Sequence, residues 1–466
     1  MLRCPLRTER NQKMEKQLSK FTLVLGCLAL GAGVTAIWAA HSVRTARISE
    51  TRRAGRTPVG STAAAYSPAT TYTDAEVAAA SAKVQGKPDD AGAWCGLGDI
   101  MMQKARETAD AAYYGRAEAA YRKALGLNVN CPDANLGLAW VMSCRHEFEQ
   151  SIDWANKTLA LDPRNAAAYG LLGDAAVEMG NYDTAFEQYQ KMLDLHPDVS
   201  SYSRGAHLLH LTGDMRKAAW LMGKAITVGA PHAENTAWCR AQLALILFNE
   251  GAYPPAQQVL EQALKSTPNN YWVLMMMGKV KAARKDYPAA IDYYKKAIAI
   301  APQLDAVIAL GDLYKLTGKY REAEDTYNLV STIHQLARAN GIRGDIQIAQ
   351  FNADHNRNLA EALKEAESEY ATRKNVYAAD TLAWCYYKNG RFDDAENTIR
   401  KALSKRTPEA RFLYHAGMIA ARTGHISAAK VDLYQALSLN PNFSPIDAPI
   451  AMSVLHDLGA HQTASR

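Results

Sequence analysis

A unit of about 34 residues returns along this 466-residue chain, and that periodicity limits the fold more than any other feature. The cleanest copy runs from Asn165 to Pro197 and reads NAAAYGLLGDAAVEMGNYDTAFEQYQKMLDLHP. Tyr169, the pair Leu172-Gly173, Ala185, Tyr189, Met192 and Pro197 mark its frame, and Gly180 separates two helical halves. The same places hold Leu274, Met277-Gly278, Ala290, Tyr294, Ala297 and Pro302. They recur as Leu310-Gly311, Tyr314, Gly318, Tyr320, Ala323 and Tyr327, and again as Ala416-Gly417, Gly424, Ala429, Leu433, Ala436 and Pro441. Looser copies end at Pro163, Pro231, Pro268 and Pro408. A first copy from Trp94 carries an insertion around Glu107–Tyr114, and a degenerate one lies between Asn340 and Thr372. Residues 90–441 therefore read as about nine or ten units, with residues 73–89 as a capping helix.

The residue types at these places have physical reasons. Small residues at the Leu-Gly place and in the second half let helix backbones approach closely. Aromatic residues fill the gaps between successive hairpins. The closing Pro cannot continue a helix and drives the preceding residue to an extended shape. No unit covers its apolar face alone, so stability is expected to be a sum over neighbours. This frame resembles the tetratricopeptide (TPR) repeat over about three quarters of the chain. The resemblance implies an all-α fold: a right-handed α-solenoid of stacked helical hairpins, a TPR superhelix, with an N-terminal transmembrane or signal helix. The runs MMQKARETADAAYYGRAEAAYRKAL, YAADTLAWCYYKNGRFDDAENTIRKAL and YHAGMIAARTGHISAAKVDLYQALSLNP look like those of exported or membrane-anchored bacterial TPR proteins without a defined activity.

Residues 1–20 form a basic leader, and residues 21–40, FTLVLGCLALGAGVTAIWAA, form an uncharged run. About 20 apolar residues span a hydrocarbon core as a helix. A transmembrane anchor is the preferred reading, and a cleavable signal segment is the other. Arg7, Arg10, Lys13, Lys16 and Lys20 precede the run, while Arg44, Arg47, Arg52 and Arg53 follow it. That slight bias favours a cytoplasmic amino terminus. The repeat domain is then membrane-anchored outside the cytoplasm, periplasmic or extracellular, or secreted if the segment is cut. Residues 41–72 are rich in Ser, Thr, Ala and Arg and read as a flexible linker. Residues 442–466 read as a C-terminal tail.

The net charge of +6 sits largely in the first sixty residues, which leaves no basic stripe for nucleic acid. Seven cysteines, none in a C-x-x-C pair, read mostly as small buried fillers, and Cys131–Cys144 is the pairing that spacing suggests. His146-Glu147-Phe148-Glu149-Gln150 begins like the zinc motif H-E-x-x-H, but Gln150 stands where the second His must be. His207 and His210 share a helix face without further ligands. The chain has no phosphate-cradling or nucleophile-elbow motif. We therefore expect no enzyme: no catalytic residue, no cofactor and no metal.

Stacked hairpins curve, and the first helix of each lines the concave side. Projecting the frame places Trp140, His207, Trp238, Phe248, Trp272, Lys279, Asp312, Tyr377, Asp380, Trp384, Tyr387, Tyr414 and Arg422 near that side. Trp, Tyr and Arg are enriched at binding hot spots. Such a groove suits protein or peptide partners, an extended peptide or a helix. Some cytosolic relatives clamp a peptide carboxylate with Lys and Asn, but here the matching places hold Cys95, Asp99, Gly170, Asp174, Ile308 and Asp312, which form no basic clamp. The expected function is a protein–protein interaction scaffold or adaptor at the cell envelope. The alternatives are a non-catalytic accessory subunit of an envelope glycan-synthesis or secretion machine, or a secreted TPR protein.

Overall fold

In the computed structural model the described residues are 72–344 and 346–464, so the leader, the 21–40 segment and nearly all of the linker lie outside them. No helix among the described residues is long and apolar enough to cross a membrane. The described residues contain twenty-two α-helices, one short 3-10 turn and no strand. A leading helix, α1 (Tyr72–Gly86), precedes ten hairpins. The first five are α2 (Ala91–Thr108) with α3 (Ala112–Leu127), α4 (Pro132–Cys144) with α5 (Phe148–Leu161), α6 (Ala166–Glu178) with α7 (Tyr182–Leu195), α8 (Val199–Leu211) with α9 (Met215–Val228), and α10 (Glu234–Asn249) with α11 (Tyr253–Ser266). The next five are α12 (Tyr271–Ala283) with α13 (Tyr287–Ile300), α14 (Leu304–Leu316) with α15 (Tyr320–Ala339), α16 (Ile346–Asp354) with α17 (Leu359–Thr372), α18 (Val376–Lys388) with α19 (Phe392–Ala402), and α20 (Ala410–Arg422) with α21 (Ile426–Leu439). Residues expected as a tail instead form α22 (Asp447–Ala464), whose Ala451 is fully buried in the core it shares with α20 and α21.

Helix ends follow local chemistry. The Asn that opens several units caps its first helix: the side chains of Asn165, Asn270 and Asn375 accept from the backbone N–H of Ala168, Val273 and Ala378 at 3.1, 3.1 and 2.8 Å. Such a cap contributes about 1 kcal/mol. Between the two helices the chain turns through a left-handed residue. Gly180, Gly213, Gly251, Gly318, Gly390 and Gly424 take this place with φ between 71° and 87°. His146 and Lys285 occupy the same place in their hairpins with φ of 62°. His tolerates this region better than most residues. The start of the apparent zinc motif is thus a helix end, with His146 Nδ1 2.8 Å from the Arg343 carbonyl oxygen.

Packing inside each hairpin repeats one device. The small residue early in the second helix (Ala117, Ala185, Ala218, Ala256, Ala290, Ala323, Ala362, Ala395 or Ala429) is buried at every copy. In the second hairpin Ser151 takes this place and its hydroxyl donates to the Ala139 carbonyl at 2.8 Å. The frame glycine of the first helix lies against the ring of the second. A Cβ on Gly173 would lie 2.3 Å from Tyr189, and one on Gly311 would lie 2.4 Å from Tyr327. The glycine is therefore a steric requirement. Where an Asp follows the glycine, the tyrosine hydroxyl donates to it: Tyr121 to Asp99 at 2.8 Å, Tyr189 to Asp174 at 2.7 Å and Tyr327 to Asp312 at 2.6 Å.

Successive first helices touch along the whole array, whereas successive second helices make at most marginal contact. The first helices therefore sit on the inside of the curve and the second helices on the outside. The array also touches itself at long range, which a sum over neighbours does not anticipate. Turns of the early hairpins dock on linkers of the late ones. Arg343 N–H donates to the Arg145 carbonyl at 3.1 Å. Glu178 accepts from Arg373 Nε at 3.0 Å and Asn375 Nδ2 at 2.8 Å, and Val376 N–H donates to the Tyr182 hydroxyl at 3.0 Å. The Thr407 hydroxyl donates to the Leu211 carbonyl at 2.6 Å, and Asn440 Nδ2 donates to the Phe248 carbonyl at 2.7 Å. Apolar residues close the same seam: Val177, Tyr182, Leu208 and Leu211 share one core with Val376, Ile399, Phe412 and Ile419. The insertion of the first copy lengthens α2, whose end reaches the middle of the array. Arg106 pairs with Glu234 at 2.8 Å, and its carbonyl accepts from the Tyr271 hydroxyl at 3.1 Å.

Candidate functional site

The concave stripe is built from one frame place, the residue after the small residue that packs on the second helix. Along the array it reads Asp99, Trp140, Asp174, His207, Leu245, Lys279, Asp312, Gln350, Trp384 and Met418. Asp99 and His207 are exposed, and Trp140, Asp174, Leu245, Lys279 and Asp312 are half-buried. Gln350 and Trp384 are buried. The stripe is therefore open from α2 to α14 and closes at α16 and α18.

Side-chain hydrogen bonds at α16 and aromatic stacking at α18 close it. The Gln350 side-chain amide donates to Asp354 at 2.9 Å and accepts from the Thr381 hydroxyl at 2.9 Å, and beside it Phe351 lies 5.5 Å from Tyr327 and 4.5 Å from His355, centroid to centroid. Trp384 stacks on Tyr387 at 4.8 Å and on His415 at 4.1 Å, and its Nε1 donates to Asp354 at 2.8 Å. Four residues projected onto the groove are thus buried in the array: Phe248, Asp380, Trp384 and Tyr414. Asp380 sits 2.9 Å from His415 Nδ1, in the wall rather than in the lumen. Asp312 holds Tyr327 and also accepts from His355 Nε2 at 2.7 Å. Burial works to lower the His355 pKa, but the hydrogen bond and charge of Asp312 outweigh it and leave the group above its ordinary value.

The others remain within reach of a partner. Trp140, Trp238, Trp272, Tyr377 and Tyr387 are half-buried, and His207 and Arg422 are exposed. Lys279 Nζ sits 5.1 Å over the Phe248 ring, and the Arg422 guanidinium lies 5.1 Å from the Phe392 ring. Water reaches His207, yet the walls around it desolvate the ring and lower its pKa against the pull of Glu178 and Asp174. Beside it, Asp174 takes a two-point contact from Arg204, Nε to Oδ1 at 2.9 Å and the terminal nitrogen to Oδ2 at 2.9 Å. Sequence reasoning missed Arg204. An Arg about 30 residues after an Asp on the inner face was the available signal. Among the described residues no group of three or more His, Cys, Asp or Glu side chains is placed to hold a metal ion.

His210, paired with His207 in the sequence, faces the core. It is 3% exposed, and its Nε2 has no partner. Desolvation pushes its pKa from 6.5 down to about 4. The sign follows from the depressed value. The unfolded chain takes up a proton near 6.5, while the folded chain resists until about 4. Stability is therefore complete above 6.5 and falls as pH drops toward 4, by about 3 kcal/mol in all. We expect the urea midpoint of His210→Leu to lose clearly less than that of the parent between pH 7 and 4.5. Equal losses in both proteins would remove His210 as the cause.

Residues 145–200, 242–305 and 381–442 match the tetratricopeptide repeat family. The matched segments are tetratricopeptide repeats, and they lie within the array of hairpins. It is 35% identical over 92 residues to small glutamine-rich tetratricopeptide repeat-containing protein 2 of Mycosarcoma maydis, covering 20% of this chain and 26% of that one. It is 29% identical over 126 residues to formate-dependent nitrite reductase complex subunit NrfG of Escherichia coli O157:H7, covering 26% of this chain and 60% of that one. The chain thus spans about a quarter and three fifths of the lengths of these curated relatives. In structure it is similar to a tetratricopeptide repeat protein from Parabacteroides merdae, with a TM-score of 0.37, 18% identity, and coverage of 48% of this chain and 85% of that one. Likeness at this level concerns the fold alone. Tetratricopeptide arrays are in general protein-interaction scaffolds, and this chain is one in that general sense.

Proposed function

We propose that the chain binds an extended peptide or a partner helix along the inner groove between α4 and α14, and does so at a cell envelope. One observation carries the reading: the stripe stays open with Trp140, His207 and Lys279 facing the groove, and closes at α16 and α18. Trp238 and Trp272 flank it as half-buried rings, the kind of rigid amphipathic anchor that dominates binding energy. Charges of both signs, such as Asp174 and Lys279, suit a peptide of mixed sequence better than a polyanion. The uncharged run 21–40 with its basic flanks supports a membrane tether and a repeat unit outside the cytoplasm.

A displayed random-peptide library panned on the full chain tests the groove. Peptides enriched on the parent should bind Trp238→Ala and Trp272→Ala at least tenfold more weakly. They should bind Trp220→Ala unchanged, because Trp220 is an exposed ring on the outer helix α9. Peptides that bind all three variants like the parent would place recognition elsewhere. For the tether, the intact mass of the protein isolated from its own membranes should include residues 21–40.

A further inference from the structure

We propose that Cys95 and Cys131 form a reversible disulfide that ties the first two hairpins together. Their sulfurs lie 3.5 Å apart, at the contact distance of two unbonded thiols, and the residues are 36 apart in sequence. Cys95 lies on the inner helix α2, and Cys131 stands at the entry to α4. Both are buried in the apolar cluster that joins these hairpins through Leu97, Tyr121 and Leu138. The gap must shrink by about 1.5 Å to reach a covalent S–S bond. Cys144, the partner that spacing suggested for Cys131, lies at the far end of α4 and packs beside Tyr114. Both Cys131 and Cys144 are free thiols in the structure.

The reaction needs an oxidant, and a small disulfide such as oxidised glutathione supplies it by exchange. The Cys131 thiolate attacks one glutathione sulfur, and the other glutathione leaves as a thiolate. Cys95 then attacks the Cys131 sulfur of the mixed disulfide and expels the second glutathione. The two protons of the cysteines end on the two glutathione molecules. Two protein thiols are oxidised and one glutathione disulfide is reduced to two thiols, so the electrons balance. Burial, then the neighbouring Cys131 and the carboxylates Asp133 and Asp99, hold the Cys95 thiol protonated. Closure is therefore slow at neutral pH and faster as pH rises. Once formed, the bridge restrains the unfolded chain across the loop it closes and so favours the folded hairpins. An oxidising compartment would keep it closed, and a reducing one would open it.

The test uses the full chain, folded and reduced, exposed to oxidised glutathione at pH 8. Free thiols are then alkylated and the protein is digested without reductant. The expected result is a Cys95–Cys131 linked peptide, an intact mass lower by two hydrogens, and a urea midpoint that rises and returns with dithiothreitol. In Cys95→Ala the expected species is glutathione trapped on Cys131. Three results would overturn the proposal: both cysteines alkylated under conditions that fully oxidise a model dithiol, glutathione trapped on Cys131 in the parent, or a Cys131–Cys144 link. If Cys95→Ala fails to fold, the peptide map of the parent decides alone.

Discussion

Tyr121→Ala is expected to lower the stability of the array by about 3–5 kcal/mol, the range for emptying a buried aromatic site. The ring is fully buried, and two glycines grip it from successive hairpins. A Cβ on Gly98 would stand 2.5 Å from the ring, and one on Gly137 would stand 2.2 Å from it. Gly98 is the frame glycine of the same hairpin, whereas Gly137 belongs to the next. Tyr121 therefore joins neighbours as well as halves, and its loss empties both contacts. The opposite fault is also expected to cost. In Gly137→Ala the new methyl meets a ring that is fully buried and that Gly98 also crowds, so the ring has little room to give way. Overpacking of this kind costs about 1–3 kcal/mol. Because the clash needs the ring, Tyr121→Ala/Gly137→Ala should cost clearly less than the sum of the single variants. Urea unfolding followed by far-ultraviolet circular dichroism reads all three. Additive losses would mean that ring and glycine do not press on each other.

The second large effect crosses the seam. Tyr182→Ala is expected to cost about 3–5 kcal/mol in packing, and it also removes the acceptor of the Val376 N–H. Tyr182 is 4% exposed and belongs to the core shared with Val376, Ile399 and Phe412. It also stacks under Lys405, whose Nζ lies 5.1 Å from the ring centroid. The location of the damage matters more than its size. In an array stabilised by neighbours alone, the change loosens α4 to α9 and leaves the late hairpins intact. In the docked array, amide exchange should quicken in α18, α19 and α20 as well, nearly 200 residues away. Protection of those helices equal to that of the parent would show that the seam contributes nothing.

The hairpins were legible because their signal is local. Gly173 and Tyr189 lie sixteen residues apart and meet in one hairpin, and the same spacing recurs at Gly278 with Tyr294 and Gly311 with Tyr327. The seam was not legible, because its bonds use groups that every residue carries. The Leu211 carbonyl, the Phe248 carbonyl and the Val376 N–H mark no pattern, and their partners sit in linkers without periodicity. The groove was legible in part. The frame correctly separates the inner helices from the outer ones, and it names Trp140, His207 and Lys279 as members of one stripe. It cannot tell that Trp384 stacks between Tyr387 and His415, because that depends on two neighbouring helices at once. Nor can it tell that Tyr327 and His355 both hold Asp312.

Covalent capture of the seam measures the central claim most directly. Asn181 and Lys374 are both exposed, and they adjoin the contact where a Cβ on Gly180 would lie 2.4 Å from the Lys374 carbonyl oxygen. With Asn181→Cys and Lys374→Cys in the full chain, a short bis-maleimide should join the two positions within one molecule in high yield, as seen by peptide mapping. An array touching only its neighbours would hold these positions far apart, and the reagent would then label each cysteine singly without linking them.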